Sequence, residues 1–261
     1  MTELDVDDAG VGSPIVVLHG FTGSTVAMSG LTSRLSSTHR VLAVDLVGHG
    51  RSPVPTDPAR YTVDAMADDV AAALQRRALG SAHLVGYSMG GRVALTLACN
   101  RPELVRSLVL IGATPGLRDP DERAERRVAD AALADRIERD GLAEFVDEWM
   151  ANPLFASQER LGPEALAAAR DQRLDNDPLG LAASLRGGGT GAMTPLHDRL
   201  PDLRVPTTLV VGALDPKFRE IAAAMDEALP HSCVVTVTDA GHAAHLEQPD
   251  AVVDAIRDRC R

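Results

Sequence analysis

Short apolar, β-branched runs recur along the chain at Pro14 to Leu18, Val41 to Leu46, His83 to Tyr87, Arg106 to Ile111, Thr207 to Val211 and Cys233 to Val237. Longer segments of helical period lie between them, at Thr25 to Leu35, Val63 to Leu79, Met89 to Asn100, Phe218 to Leu229 and Ala251 to Arg259. Continuously apolar strands belong to a sheet buried on both faces, and strict alternation with helices supplies the crossovers that parallel strands require. The pattern therefore predicts an α/β fold, a mostly parallel sheet with helices on both faces. Function is expected in the loops at the carboxyl ends of its strands.

One stretch, from Leu117 to Leu196, breaks the alternation. It is rich in Ala, Arg and Glu, places Val128, Leu133 and Ile137 at helical spacing, and contains no strand-like run. We read it as an inserted helical cap (117–196) on a core made of 1–116 and 197–261. Pro153, Pro163 and Pro178 divide it into several short helices. The Gly187-Gly188-Gly189 run is expected to end the last of them as a hinge or return loop.

A chain of 261 residues with 45% hydrophobic content can bury one substantial core. Its formal charge of −11, with no basic run, argues against nucleic acid and anionic membrane surfaces as partners. Met1-Thr2-Glu3-Leu4-Asp5 lacks the basic start and apolar stretch of a secretory signal, and no apolar run nears the roughly 20 residues of a membrane helix. Cys99, Cys233 and Cys260 are odd in number and widely separated, which suggests neither a disulfide framework nor a zinc site. A cytoplasmic protein with no metal and no cofactor is expected.

The candidate chemistry centres on Gly86-Tyr87-Ser88-Met89-Gly90, between the run Ala82 to Val85 and the small-residue segment Gly91 to Cys99. A G-x-S-x-G could arise by chance in a surface turn. Its position between a strand and a helix makes it a nucleophile elbow, whose flanking glycines leave room for a sharp turn that lifts the serine hydroxyl above the sheet. A neutral serine is a poor nucleophile or base, so Ser88 needs a histidine to take its proton and an acid to orient that histidine. Asp215 follows the strand ending at Val211, and His242, in Ala240-Gly241-His242, follows the strand ending at Val237. Asp239 and His245 compete for these roles, each with an equally simple reading as a loop or surface residue. His19 reads as structural within its turn, and His83 as a strand-end residue.

His19-Gly20-Phe21 follows the first apolar run, where the backbone N–H of Phe21 could join that of Met89 in an oxyanion hole. A plain turn accounts for the glycine equally well. Together with Gly48-His49-Gly50-Arg51-Ser52 after the strand ending at Leu46, these motifs resemble the α/β-hydrolase superfamily, which implies the α/β-hydrolase fold with an inserted helical cap. Within it the chain resembles the family of 2-succinyl-6-hydroxy-2,4-cyclohexadiene-1-carboxylate synthases of menaquinone biosynthesis. That resemblance rests on Gly86 to Arg92, Thr114-Pro115-Gly116-Leu117, Asp121 to Arg127, Asp147-Glu148-Trp149, Pro153 to Ser157, Leu185-Arg186-Gly187, Asp215-Pro216-Lys217-Phe218 and Ala240 to His245. The matches run through the cap as well as the core. Met28, where many relatives carry a bulky aromatic, and Gly188 depart from the pattern.

The resemblance implies Ser88, Asp215 and His242 as a catalytic triad, Arg92, Arg126 and Arg173 as anion-binding arginines, and Tyr87, Trp149 and Phe155 as aromatics lining the site. It implies a lyase that eliminates pyruvate from a small polycarboxylate. Guanidinium groups suit such a ligand because each can grip a carboxylate through two parallel bonds. On spacing alone, Arg126 reads rather as a surface partner of Glu122, one helical turn back, and only the resemblance turns it toward the site. The cap holds 10 arginines against 16 acids, so any anion site must be local. Two other classes of function stay open: a serine hydrolase of an ester, thioester or C–C bond using the same triad, and a ligand-binding protein on a hydrolase fold.

Overall fold

The structure, a computed structural model, describes residues 1–260, so Arg261 of the expected second core segment lies outside the described residues. Seven strands form one sheet: β1 (Val6–Ala9), β2 (Pro14–Leu18), β3 (Arg40–Val44), β4 (Ala82–Tyr87), β5 (Val105–Ile111), β6 (Thr207–Gly212) and β7 (Ser232–Val237). Their order is β1-β3-β2-β4-β5-β6-β7, and every pairing except β1 with β3 is parallel. The helices are α1 (Ser29–Leu35), α2 (Val63–Arg76), α3 (Met89–Asn100), α4 (Pro120–Asp140), α5 (Leu142–Met150), α6 (Pro163–Leu174), α7 (Pro178–Gly188), α8 (Pro216–Ala228), α9 (Ala244–Glu247) and α10 (Pro249–Cys260). None of the described helices is long and apolar enough to cross a membrane.

Successive side chains of a strand point to opposite faces, and here both faces are buried. Val16, Leu18, Leu84, Leu108 and Leu110 join Val70 of α2, Val93 of α3 and Met225 of α8 on one side. Ile15, Val17, Val85, Val109 and Ile111 join Leu31 of α1 and Val252 and Ile256 of α10 on the other. Each such side chain contributes about 1.5–3 kcal/mol on leaving water, which makes these two layers the main stabilising term.

The six expected strands are all present. β1 was not expected, because its sequence VDDA carries almost no apolar signal. It is an exposed antiparallel edge whose acids sit in ion pairs, Asp8 with Arg40 and Asp7 with Arg51, both at 2.6 Å. The segment expected as one helix from Thr25 divides into a 3-10 turn, Val26–Met28, and α1.

Between β5 and β6 the chain is helical, α4 to α7 with a 3-10 segment at Pro153–Leu161, and it encloses its own small core of Ala134, Ile137, Phe145, Val146, Leu181 and Leu185. Pro153, Pro163 and Pro178 each open one of these segments, where a missing N–H costs nothing, and Asn152 and Asp177 cap two of them with side-chain oxygens. Two expectations for this region are corrected. Val128 is 71% exposed, because it lies five residues from Leu133 and so well off the face shared by Leu133 and Ile137. Gly187 and Gly188 do not break the helix but form its last turn, and only Gly189 caps it.

The reason is a close crossing rather than flexibility. A Cβ on Gly187 would meet Tyr61 Cβ at 2.8 Å and its backbone at 3.0 Å. Helix propensity alone would make Gly187→Ala stabilising by about 1 kcal/mol. The crossing reverses the sign: Gly187→Ala is expected to destabilise by about 1–3 kcal/mol, as overpacking does, read as a lower denaturant midpoint at unchanged m-value. A raised midpoint would show that the helix packs more loosely on Tyr61.

Candidate active site

Ser88 stands between β4 and α3 with φ +49° and ψ −107°, a conformation outside the regions an L-residue prefers. Such a residue costs of order 1–3 kcal/mol and persists only where its surroundings hold it. Here the Ser88 N–H donates to the Ile111 carbonyl at 2.8 Å, and its own carbonyl accepts from Arg92 N at 3.1 Å as the first bond of α3. The flanking glycines are sterically required. A Cβ on Gly86 would strike the Gly90 backbone, and one on Gly90 would strike Leu18 and His19.

Two further loops at the same edge of the sheet bring up the partners. Asp215 caps α8, one oxygen accepting from Phe218 N at 3.2 Å. Its other oxygen accepts from His242 Nδ1 at 2.9 Å, and His242 Nε2 lies 3.2 Å from Ser88 Oγ. With its proton on Nδ1 facing the carboxylate, the imidazole presents the Nε2 lone pair to the serine hydroxyl. Both Asp215 and His242 are buried. The Phe218 ring, 4.3 Å away centroid to centroid, packs against the imidazole.

The competing residues are elsewhere. Asp239 is exposed and faces Arg160 across 3.9 Å. His245 is buried against the Tyr87 ring at 4.2 Å. His83 bonds Ser107 within the sheet, and His19 is wholly buried in its turn, as its structural reading anticipates.

Phe21, Ser88, Met89 and His242 share the wall of a cavity of about 130 Å³. Gly20 brings the Phe21 loop against the elbow, since a Cβ there would meet the Tyr87 ring at 2.7 Å and Ser88 Cβ at 3.4 Å. Met89 is the first residue of α3, so its N–H has no acceptor within the helix. Two amides are thus available to an oxygen in this cavity.

Arg92 and Arg126 line the same cavity. Arg92 is buried with no carboxylate bound to it: one nitrogen donates to the Gly188 carbonyl at 2.5 Å and lies 3.9 Å from Met193 sulfur. Burial first, and repulsion from Arg126 second, push its guanidinium down to about 10. Arg126 pairs with Asp130 at 2.8 Å rather than with Glu122, and remains 43% exposed. Arg173 is not on this wall. It lines a neighbouring cavity of about 380 Å³ with Tyr87, Gln172 and His245, and burial lowers its pKa as well. Phe21, Trp149 and Phe155 belong to both walls and separate the two compartments. A larger hollow of about 550 Å³ near Leu117 and Ile221 contains none of these residues.

Sequence reasoning gave no role to Lys217, which lines the Ser88 cavity from the first turn of α8. It is the only lysine of the chain, two residues after Asp215, and that position was the available signal.

Comparison with known proteins gives the chain its family. The model of the alpha/beta hydrolase fold family matches residues 13–249. A Bacillus subtilis (strain 168) protein provisionally named 2-succinyl-6-hydroxy-2,4-cyclohexadiene-1-carboxylate synthase is 42% identical over 90% of this chain and 85% of its own length. The synthase of that name from Salmonella schwarzengrund is 36% identical over 94% of this chain and 93% of its own. The chain belongs to the 2-succinyl-6-hydroxy-2,4-cyclohexadiene-1-carboxylate synthase family of α/β hydrolases. Among solved structures, MenH from S. aureus superposes with a TM-score of 0.93 at 33% identity, covering 99% of this chain and 98% of that one.

The buried histidines around the family's elbow make stability depend on acid. Burial, with help from the neighbouring His19 and His242 respectively, pushes His49 and His245 down to about 3. Below about pH 6.5 the unfolded chain protonates each of them while the folded chain does not. Their contribution is therefore neutral above that pH and increasingly destabilising down to about 3, by about 1.4 kcal/mol per pH unit for each histidine. Denaturant unfolding of His245→Gln between pH 6.5 and 4 is expected to show a shallower fall than wild type, by about one proton. An unchanged slope would mean that His245 takes up its proton in the folded state.

Proposed function

We propose that this chain eliminates pyruvate from 2-succinyl-5-enolpyruvyl-6-hydroxy-3-cyclohexene-1-carboxylate to give 2-succinyl-6-hydroxy-2,4-cyclohexadiene-1-carboxylate. The family supports the reaction. The observation that carries it here is Arg92, a buried cation without a carboxylate partner on the wall that also holds Ser88. A desolvated cation is costly unless paired, so this wall suits an anionic ligand and would disfavour a neutral ester.

In this reading His242, oriented by Asp215, draws the proton from Ser88, and the serine oxygen abstracts a proton from a ring carbon of the substrate. The C–H electron pair moves toward a carbonyl oxygen held by the Phe21 and Met89 amides. Its return breaks the ring C–O bond, and the enolpyruvyl oxygen leaves with that pair. The proton returns to the leaving group, which is released as pyruvate. No acyl-enzyme forms and no cofactor takes part. Arg92 and Arg126 orient the carboxylates near Ser88, Arg173 takes a carboxylate reaching into the adjoining compartment, and Tyr87, Trp149 and Phe155 exclude water from the ring. The partner is a small polycarboxylate, not nucleic acid or a membrane.

The triad geometry serves a serine hydrolase equally well, and it is the family and the cations on the cavity wall, Arg92 above all, that favour elimination. The test is to make the precursor in situ from isochorismate and 2-oxoglutarate and to follow pyruvate. Ser88→Ala is expected to lower kcat by at least about 10³-fold, and Arg126→Ala to lower kcat/KM by about 10- to 100-fold, the worth of a charge-assisted bond. Pyruvate release no faster than without protein, beside rapid cleavage of simple aryl esters, would establish the hydrolase instead.

A further inference from the structure

The loop that carries the Phe21 amide is fixed from two sides. From the core, His19 Nε2 accepts the Leu46 N–H at 3.0 Å, so the ring proton sits on Nδ1 and is donated to the Gly20 carbonyl at 2.8 Å. The Gly23 N–H donates to the same carbonyl at 3.0 Å. The carbonyl and N–H of a trans peptide point in opposite directions, so tying down the Gly20 oxygen also sets the direction of the Phe21 N–H.

From the cap, the buried Asn176 reaches across between α6 and α7. Its Nδ2 donates to the Thr22 carbonyl at 3.0 Å, and its Oδ1 accepts from the Gly50 N–H at 3.0 Å. Gln172 adds a second donor to the Thr22 carbonyl at 3.3 Å. Thr22 needs such support, since at φ +65° it is a β-branched residue in left-handed backbone. The Phe21 ring itself lies edge-on to Phe145 and Trp149 of the cap, at 6.2 and 5.2 Å.

We propose that Asn176 is a positioning residue that ties the cap to the Phe21 amide, so that the seating of the cap sets the aim of this oxyanion donor through Thr22. The cap then does more than cover substrate. It completes the group that stabilises developing charge, and a displaced cap leaves the triad intact but its oxyanion donor misdirected. The kinetic part of the test rests on the pyruvate-eliminating reading above, whereas its exchange part does not.

The experiment compares Asn176→Ala, Asn176→Asp and the double variant Gln172→Ala/Asn176→Ala with wild type. It measures kcat, KM, Tm and amide hydrogen exchange over residues 20–23. Asn176→Asp keeps the shape and the acceptor for Gly50 but can donate neither to Thr22 nor, from the same nitrogen, to the Arg173 carbonyl at 3.0 Å, and the exchange over residues 20–23 reports the Thr22 bond. With Gln172 in place, kcat is expected to fall about 10-fold, and about 100-fold in the double variant, with KM within about twofold and faster exchange over 20–23. Ile256→Ala, in the apolar layer under α10 that includes neither Phe21 nor a cap residue, controls for stability. It is expected to lower Tm at least as much while leaving kcat within about twofold. Loss of Tm in Asn176→Ala with unchanged kcat and unchanged exchange would overturn the proposal. If wild type releases no pyruvate, the reaction assignment fails, and the exchange difference alone then decides for or against the coupling.

Discussion

Parallel strand direction is the constraint on which the site depends. Because β2, β4, β6 and β7 all run the same way, the loops that follow them emerge at one edge of the sheet. Those four loops carry Phe21, Ser88, Asp215 and His242. Residues as far apart in sequence as Ser88 and His242 thereby come within 3.2 Å, with no flexible segment needed to join them. The energetic support is the two apolar layers on either side of the sheet, which fix strand positions closely enough for a strained serine to hold its angle.

Charge is distributed on a different principle. Most ion pairs among the described residues are exposed, and such pairs, screened by water, contribute little to stability. Arg92 is the exception that matters: buried, close to another cation, hydrogen-bonded only to a carbonyl and a thioether, and attracted at longer range by the Asp130 carboxylate that Arg126 already holds. Folding has left a charge there that a ligand can neutralise. The net negative charge of the cap does little to oppose this, because all its acids but Asp130 are exposed to solvent, several of them in pairs with neighbouring arginines, such as Asp147 with Arg170 and Glu138 with Arg186. The field in the cavity is set by two or three side chains rather than by the domain.

Much of this was legible in the sequence because the relevant signals are local. The elbow needs Gly86 and Gly90 within two residues of Ser88, and Asp215 and His242 directly follow strands whose apolar runs are unmistakable. What escaped depends on contacts between distant residues. β1 is held by pairing with β3 and by ion pairs to Arg40 and Arg51, none of which is visible in the sequence VDDA. The helical glycines of α7 answer to Tyr61, more than a hundred residues earlier. Arg126 had acids at both helical spacings, and burial selected Asp130 over Glu122. Asn176 reads as an ordinary loop residue until Thr22 and Gly50 are seen beside it.

The central claim is that Ser88 acts as a base rather than as a nucleophile. It is tested most directly by replacing the abstracted ring hydrogen of the substrate with deuterium and measuring pyruvate release together with the intact mass of the enzyme during turnover. The account calls for a primary isotope effect on release and an unmodified chain. A rate indifferent to deuterium, with a substrate-derived mass attached at Ser88, would contradict it.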